Sequence, residues 1–169
     1  MTLPSVAPQH PLEGARSLLK RGIAVPYSFP LPTEDTKWKV SFEKPTDVTL
    51  VGSWANKVSV KAKDGERFGV DLAVEMPEVC VFLDILDYVL FSRCSNSLQS
   101  LFQEKDYLDG RFFHKRAFYL ASIAAAIQRK KSGFDVDVLY ESRSNNPRLT
   151  TLVLRPRKGV LFVSRMHMI

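Results

Sequence analysis

Two short stretches of this 169-residue chain carry residue types that chemistry uses. The first is Gly52-Ser53, directly after the apolar run Asp47-Val-Thr-Leu-Val51. The second is Asp71, inside Arg67-Phe-Gly-Val-Asp-Leu-Ala-Val74. A Gly-Ser turn lets backbone amides approach a triphosphate closely, because glycine carries no side chain to hold it off. Alternate residues of a strand face the same way, so an Asp-x-Asp pair aims two carboxylates at one point. With a third carboxylate from a neighbouring strand, such a pair holds two Mg²⁺ ions for in-line displacement at phosphorus. Here the second position is Ala73, and a methyl group ligates no metal. The third carboxylate is expected on Leu149–Arg155, which contains no acid. Asp135 and Asp137 are the nearby substitutes, and they sit on another segment. A single surviving carboxylate does not assemble a two-metal site. The reading is therefore of no catalytic residue, no metal and no cofactor. The alternative is an active enzyme whose rearranged site uses Asp71 with Asp135 or Asp137.

The elements that must position these residues follow from pattern. Asp47–Val51 is β-branched and apolar and reads as a short buried strand stopped by the Gly-Ser turn. Arg67–Val74 reads as a second strand ended by Met76-Pro77. From Asp106 to Lys131, apolar residues at Leu108, Phe112, Leu120, Ala124 and Ile127 recur at near-helical spacing. Phe134–Glu141 and part of Leu149–Arg155 alternate, giving two more strands joined by a polar turn around Ser144-Asn-Asn-Pro147. The order β-β-α-β-β points to an α+β domain, a mixed sheet backed by at least one helix. Residues 1–36 are a proline-rich N-terminal arm, with prolines at 4, 8, 11, 26, 30 and 32. Proline lacks an amide donor and constrains its predecessor, so only Leu12–Arg21 has room to coil, with Leu18 and Leu19 as its apolar side. Such an arm settles on a partner or on the domain surface.

Composition narrows the partners. The formal charge of +6 is uneven: residues 1–101 hold 11 Lys/Arg against 12 Asp/Glu, and residues 102–169 hold 13 against 6. The surplus along the long helix, at Arg111, Lys115, Arg116, Arg129, Lys130 and Lys131, suits phosphate contacts to RNA, which anchor without reading sequence. The competing reading is a solvated face with intrahelical pairing. Cys80 and Cys94 form neither a metal-ligand spacing nor a disulfide framework and suit a reducing compartment. No secretory signal is visible. The most apolar window, Val79–Phe91, is short and holds Asp84 and Asp87, so no membrane span is read from it. His114 has no second His or Cys at helical spacing and is read as packing rather than ligation. Trp38 and Trp54 are likewise read as packing rather than base stacking.

A strand running into Gly-Ser, followed by a strand with the Asp-x-Asp frame, resembles the polymerase-β-like nucleotidyltransferases. Three longer stretches resemble the first domain of the Nrap family: Phe42-Glu-Lys-Pro-Thr-Asp-Val-Thr-Leu-Val-Gly-Ser-Trp54, Val70-Asp-Leu-Ala-Val-Glu-Met-Pro77 and Leu101-Phe-Gln-Glu-Lys-Asp-Tyr-Leu-Asp-Gly-Arg-Phe-Phe-His-Lys-Arg-Ala-Phe-Tyr-Leu120. The resemblance covers roughly residues 20–78 and 100–158. It implies a nucleotidyltransferase-like fold at residues 37–158 that is catalytically silent, in agreement with Ala73. It implies a non-catalytic scaffold in ribosome biogenesis and small-subunit rRNA processing, in the nucleus and nucleolus. Its partners would be pre-ribosomal RNA, the U3 small nucleolar particle and other proteins of the small-subunit processome. Family members are much longer, so the chain is expected to be a fragment or a truncated gene product. Two segments leave the family pattern. Val79–Gln99 interrupts it, and removing those residues rejoins Met76-Pro-Glu78 to Ser100-Leu-Phe-Gln-Glu. Val-Cys is what an intron beginning GTATGT encodes in frame, so a retained intron is one reading and a genuine apolar insertion packed as an extra helix the other. Residues 159–169 read as an atypical C-terminal tail, a read-through into a stop codon. The chain would then be a mis-spliced product without function.

Overall fold

Proline and glycine punctuation in the arm leaves short elements that pack on one long helix. The computed structural model describes residues 5–59, 68–77, 106–107, 109–128, 135–157 and 162–168. Strand β1 (Val6–Gln9) leads into helix α1 (Pro11–Leu19), and strand β2 (Val40–Phe42) returns to pair antiparallel with β1. Pro11 opens α1, where its missing amide costs nothing, and the His10 ring accepts from the Leu12 amide. The five-stranded sheet follows: β3 (Asp47–Val51), a four-residue helix α2 (Gly52–Ala55), and β4 (Phe68–Glu75). Helix α3 (Arg111–Ile127) then crosses to β5 (Val136–Ser142), β6 (Thr150–Pro156) and β7 (Phe162–Met168).

The sheet order is β3-β4-β7-β6-β5, with β4 and β7 parallel and every other pair antiparallel. The fold is therefore α+β with a mixed sheet. Period-2 alternation gives the sheet two unlike faces. One register row runs Leu50, Leu72, Met166, Leu152, Tyr140 across all five strands. From this face Val74, Leu152, Leu154, Met166, Val138 and Tyr140 join the hydrophobic core with α3. Burial pushes the Tyr140 hydroxyl up to about 12. The next row, on the opposite face, runs Val51, Asp71, Arg165, Val153, Leu139.

Helix α3 is buried on every side from Arg116 to Ala126. A helix apolar all round has to be covered all round. The sheet covers one side. The arm and β2 cover another, with Phe42 of β2 against Tyr119 at 4.8 Å between ring centroids. The Tyr119 hydroxyl donates to the Glu43 carbonyl at 2.9 Å. Gly14 lets α1 come close, since a Cβ there would stand 2.7 Å from Phe118 Cε2.

The proline-rich arm settles on the domain itself, one of the two resting places expected for it, with Leu18 and Ile23 in the same core as α3. Four expectations change. Leu19, expected on the apolar side of α1, is 63% exposed. Strand β3 is an edge strand with Val48 and Leu50 exposed, not a buried one. A short apolar run looks the same at a sheet edge and at its centre. The long helix starts at Arg111, after a turn through Gly110 at φ +68°. The C-terminal stretch set apart as a tail supplies β7, which lies between β4 and β6 in the middle of the sheet. Its alternating sequence fits that place. The Val79–Gln99 segment lies outside the described residues. Among the described residues no helix is long and apolar enough to cross a membrane.

Candidate functional site

Strands β3 and β4 bring the Gly-Ser turn and Asp71 together. Val51 is the register partner of Asp71, so the turn that follows Val51 lies beside the carboxylate. Gly52 has φ +77°, a region open to glycine and costly for other residues. A Cβ at Gly52 would also stand 2.9 Å from Asp71 Oδ2, so both backbone shape and space call for glycine. Ser53 and Trp54 follow in α2, and Trp54 meets Phe68 of β4 edge-on at 6.0 Å between centroids.

The side chain that meets Asp71 is an imidazole rather than a second acid. Strand β7 lies against β4 with Asp71 opposite Arg165 and Ala73 opposite His167. His167 Nε2 is 3.2 Å from Asp71 Oδ1, and both side chains are partly exposed. Ala73 is buried. The Arg165 Nε lies 3.7 Å from Glu141 Oε2, and Arg155 Nη2 donates to the other Glu141 oxygen at 3.0 Å. Glu141 on β5 is thus shared by two guanidiniums.

The other carboxylates stay apart. The third was expected on β6, which is not a neighbour of β4, because β7 stands between them. Asp135 and Asp137 are at the far edge, held by Arg157 at 3.5 Å and 2.8 Å. Those contacts raise the Arg157 pKa, chiefly through the hydrogen bond to Asp137. Strand β5 is three strand spacings from β4, roughly 14 Å at about 4.8 Å each. Paired catalytic metals sit about 4 Å apart. Neither Asp135 nor Asp137 can share an ion with Asp71 in this arrangement. Among the described residues no cluster of three or more His, Cys, Asp or Glu could hold a metal.

The predicted basic face of the helix is distributed differently. Lys115 is 10% exposed and binds Asp106, itself buried, at 2.5 Å. Arg116 is buried and donates to the Arg148 carbonyl at 3.1 Å, and its burial lowers its pKa. Both were expected as phosphate contacts. A helix covered on all sides leaves no solvated face at 115 and 116, so these cations work inside the fold. Arg111 stays partly exposed, in an ion pair with Asp109. Arg129, Lys130 and Lys131 lie outside the described residues. His114 packs as expected, between Tyr27 at 5.8 Å and Trp38 at 5.5 Å, with Nε2 2.8 Å from the Pro30 carbonyl. Trp38 packs against the core, as expected, whereas Trp54 is 46% exposed.

Sequence reasoning missed Arg165 and His167, because their strand had been set outside the domain. The alternation in Phe162-Val-Ser-Arg-Met-His-Met168 was the signal available.

Comparison with known proteins bears on what this arrangement belongs to. The model of the family described as Nrap protein domain 1 matches residues 8–93 and 99–166. That match takes in residues 79–93 and 159–166, beyond the stretches that carried the resemblance, and leaves out only 94–98 in between. The U3 small nucleolar RNA-associated protein 22 of Schizosaccharomyces pombe is 32% identical over 135 residues, 79% of this chain and 10% of that protein. The protein of the same name from Saccharomyces cerevisiae is 29% identical over 135 residues, 77% of this chain and 9% of its own. Nucleolar protein 6 of Xenopus laevis is 31% identical over 142 residues, 84% of this chain and 10% of that protein. The chain spans about a tenth of the length of these relatives.

Proposed function

The chain belongs to the Nrap family, and from that premise we propose that it is a non-catalytic scaffold module of ribosome biogenesis, with a degenerate nucleotidyltransferase-like fold. Its setting is the nucleolus, and its partners are pre-ribosomal RNA, the U3 small nucleolar particle and other processome proteins. The names of the relatives support that setting, since two are U3 small nucleolar RNA-associated and one is nucleolar.

One observation carries the non-catalytic part. Asp71 faces Ala73, His167 and Arg165, where two-metal chemistry needs further carboxylates. The His167 imidazole, 3.2 Å from Asp71 Oδ1, gives the lone carboxylate a hydrogen-bond partner from the protein itself. The Gly52-Ser53 turn against Asp71 supports descent from a nucleotidyltransferase, because that close approach is what a triphosphate site requires.

The chain should incorporate no nucleotide from any nucleoside triphosphate onto an RNA primer, with Mg²⁺ or Mn²⁺. Primer extension that disappears in Asp71→Asn would overturn the non-catalytic reading. For the setting, the tagged chain expressed in a eukaryotic cell should enrich U3 RNA over other small nucleolar RNAs. Equal recovery of all of them would count against a processome role.

A further inference from the structure

The five-stranded sheet ends in two unlike edges. Strand β5 closes one of them with Asp137 and Glu141 held to Arg157 and Arg155, and charge of this kind keeps a foreign strand off an edge. Strand β3 closes the other and reads Asp-Val-Thr-Leu-Val, with no lysine, arginine or proline. Among the described residues no strand pairs with its outer side. Val48 is 53% exposed and Leu50 41%, although Leu50 stands in the apolar row that runs under α3. Trp54 and Val58, soon after the strand, are exposed as well. An apolar, unguarded edge invites the addition of a strand.

The backbone of β3 shows which of its groups face outward. The Val48 amide donates to Asp47 Oδ1 at 2.8 Å, so it points away from β4. Alternation in an antiparallel pair then turns Leu50 outward as well, while Thr49 between them bonds to β4. Gly52, at φ +77°, turns the chain into α2 directly after Val51, which keeps the free edge short. Its occupant must be a short extended segment with two outward residues at the same spacing. Strand β3 is itself such a segment.

We propose that β3 pairs antiparallel with β3 of a second copy, about a two-fold axis through Thr49. In that register Val48 of each copy lies opposite Leu50 of the other as the hydrogen-bonded pairs, and each pair exchanges two backbone bonds. Thr49 meets Thr49 as the close, non-hydrogen-bonded pair, a favourable cross-strand contact. Asp47, the only charged residue of the strand, falls opposite Val51, so no like charges meet. The Leu50 carbonyl of the second copy takes the Val48 amide that Asp47 holds in the single copy. Val48 and Leu50 then cover one another, and the apolar row under α3 continues into the second sheet. A surface complementary to itself in this way is what a two-fold interface requires.

Sedimentation equilibrium of the whole chain from about 1 µM to about 1 mM spans the weak range to which so small a contact belongs. The average mass should rise with concentration from 19.2 kDa towards twice that value. Thr49→Lys sets two lysines against each other at the axis and should weaken association about ten-fold or more, as should Thr49→Glu. An equal mixture of the two variants should recover the dimer, because opposite charges then meet. Thr49 is exposed, so both variants should keep the circular dichroism and unfolding profile of the parent. Leu139→Lys, on the opposite edge strand β5, should leave association unchanged. A chain that stays at 19.2 kDa throughout overturns the proposal and leaves the edge to a strand from a different protein. A dimer that both Thr49 variants keep, or that Leu139→Lys abolishes, overturns it by moving the contact elsewhere. Loss in both variants with no recovery in the mixture overturns the two-fold register at Thr49.

Discussion

The two faces of the five-stranded sheet are made from the same strands and hold together by different means. Under α3 the row Leu50, Leu72, Met166, Leu152, Tyr140 is apolar across its whole width. On the opposite face the adjacent row places Asp71 beside Arg165, and His167 and Glu141 lie close by. Apolar packing against α3 organises the first face, whereas the second sets paired charges around the buried Ala73 and Val153. The charged face is also the one that carries Asp71, beside the Gly-Ser turn. On it β7 sets an imidazole 3.2 Å from Asp71 and a guanidinium 3.7 Å from Glu141.

The largest effect should come from breaking the apolar face. Leu152 is fully buried between Met166 and Tyr140 in the register row. Leu152→Ala removes buried methylenes and leaves a cavity, a change that costs about 2–5 kcal/mol in closely packed cores. Urea unfolding should show a lowered midpoint with an unchanged slope. A loss below about 1 kcal/mol would mean that this face collapses freely and is not the rigid half of the comparison.

Much of this was legible in the sequence, and the exceptions have physical causes. The α+β class, both strands around the Gly-Ser turn and the core of the long helix follow from periodicity, which burial on one face imposes directly. The Asp71–Gly52 juxtaposition was implied by the motif resemblance, which assigns the Gly-Ser turn and the Asp strand to one site; residues 52–67 separate β3 from β4, so spacing alone does not set their register. The edge position of β3 was not, because a five-residue apolar run does not record how many neighbours it has. The place of β7 was missed for another reason. Parallel pairing with β4 joins residues more than ninety positions apart, as Asp71 and Arg165 do, and no local pattern specifies such a pairing. Lys115 and Arg116 look like surface charges when read one at a time. Only the tertiary fold turns them inward, Lys115 to the buried Asp106 and Arg116 to the Arg148 carbonyl.

A smaller effect is expected where the two faces meet the turn. Gly52→Ala places a Cβ at φ +77° and 2.9 Å from Asp71 Oδ2, so backbone and steric strain add. Strain of this kind costs on the order of 1–3 kcal/mol. Combining Gly52→Ala with Asp71→Ala should recover the steric part and leave the backbone part, a positive coupling in a double-mutant cycle. Strict additivity would show that the carboxylate moves aside at no cost. The close approach would then be incidental to the site.

The smallest effect should come from the charged face itself. Glu141 accepts from Arg155 at 3.0 Å and lies 3.7 Å from Arg165, and all three side chains are between 41% and 46% exposed. Exposed pairs contribute about 0–1 kcal/mol, because solvent screens them and ordering long side chains opposes them. Glu141→Gln should therefore cost less than about 1 kcal/mol at low salt. The cost should fade near 1 M salt, where the Debye length is about 3 Å. The Leu152→Ala penalty has no Coulombic part and should persist under the same salt. Salt thus separates the two faces in one unfolding experiment. A Glu141→Gln penalty comparable to that of Leu152→Ala, and insensitive to salt, would show that the charged face carries the fold as much as the core does. The guanidiniums on it would then be structural braces, and the division between a packed face and a face of exposed ion pairs would be lost.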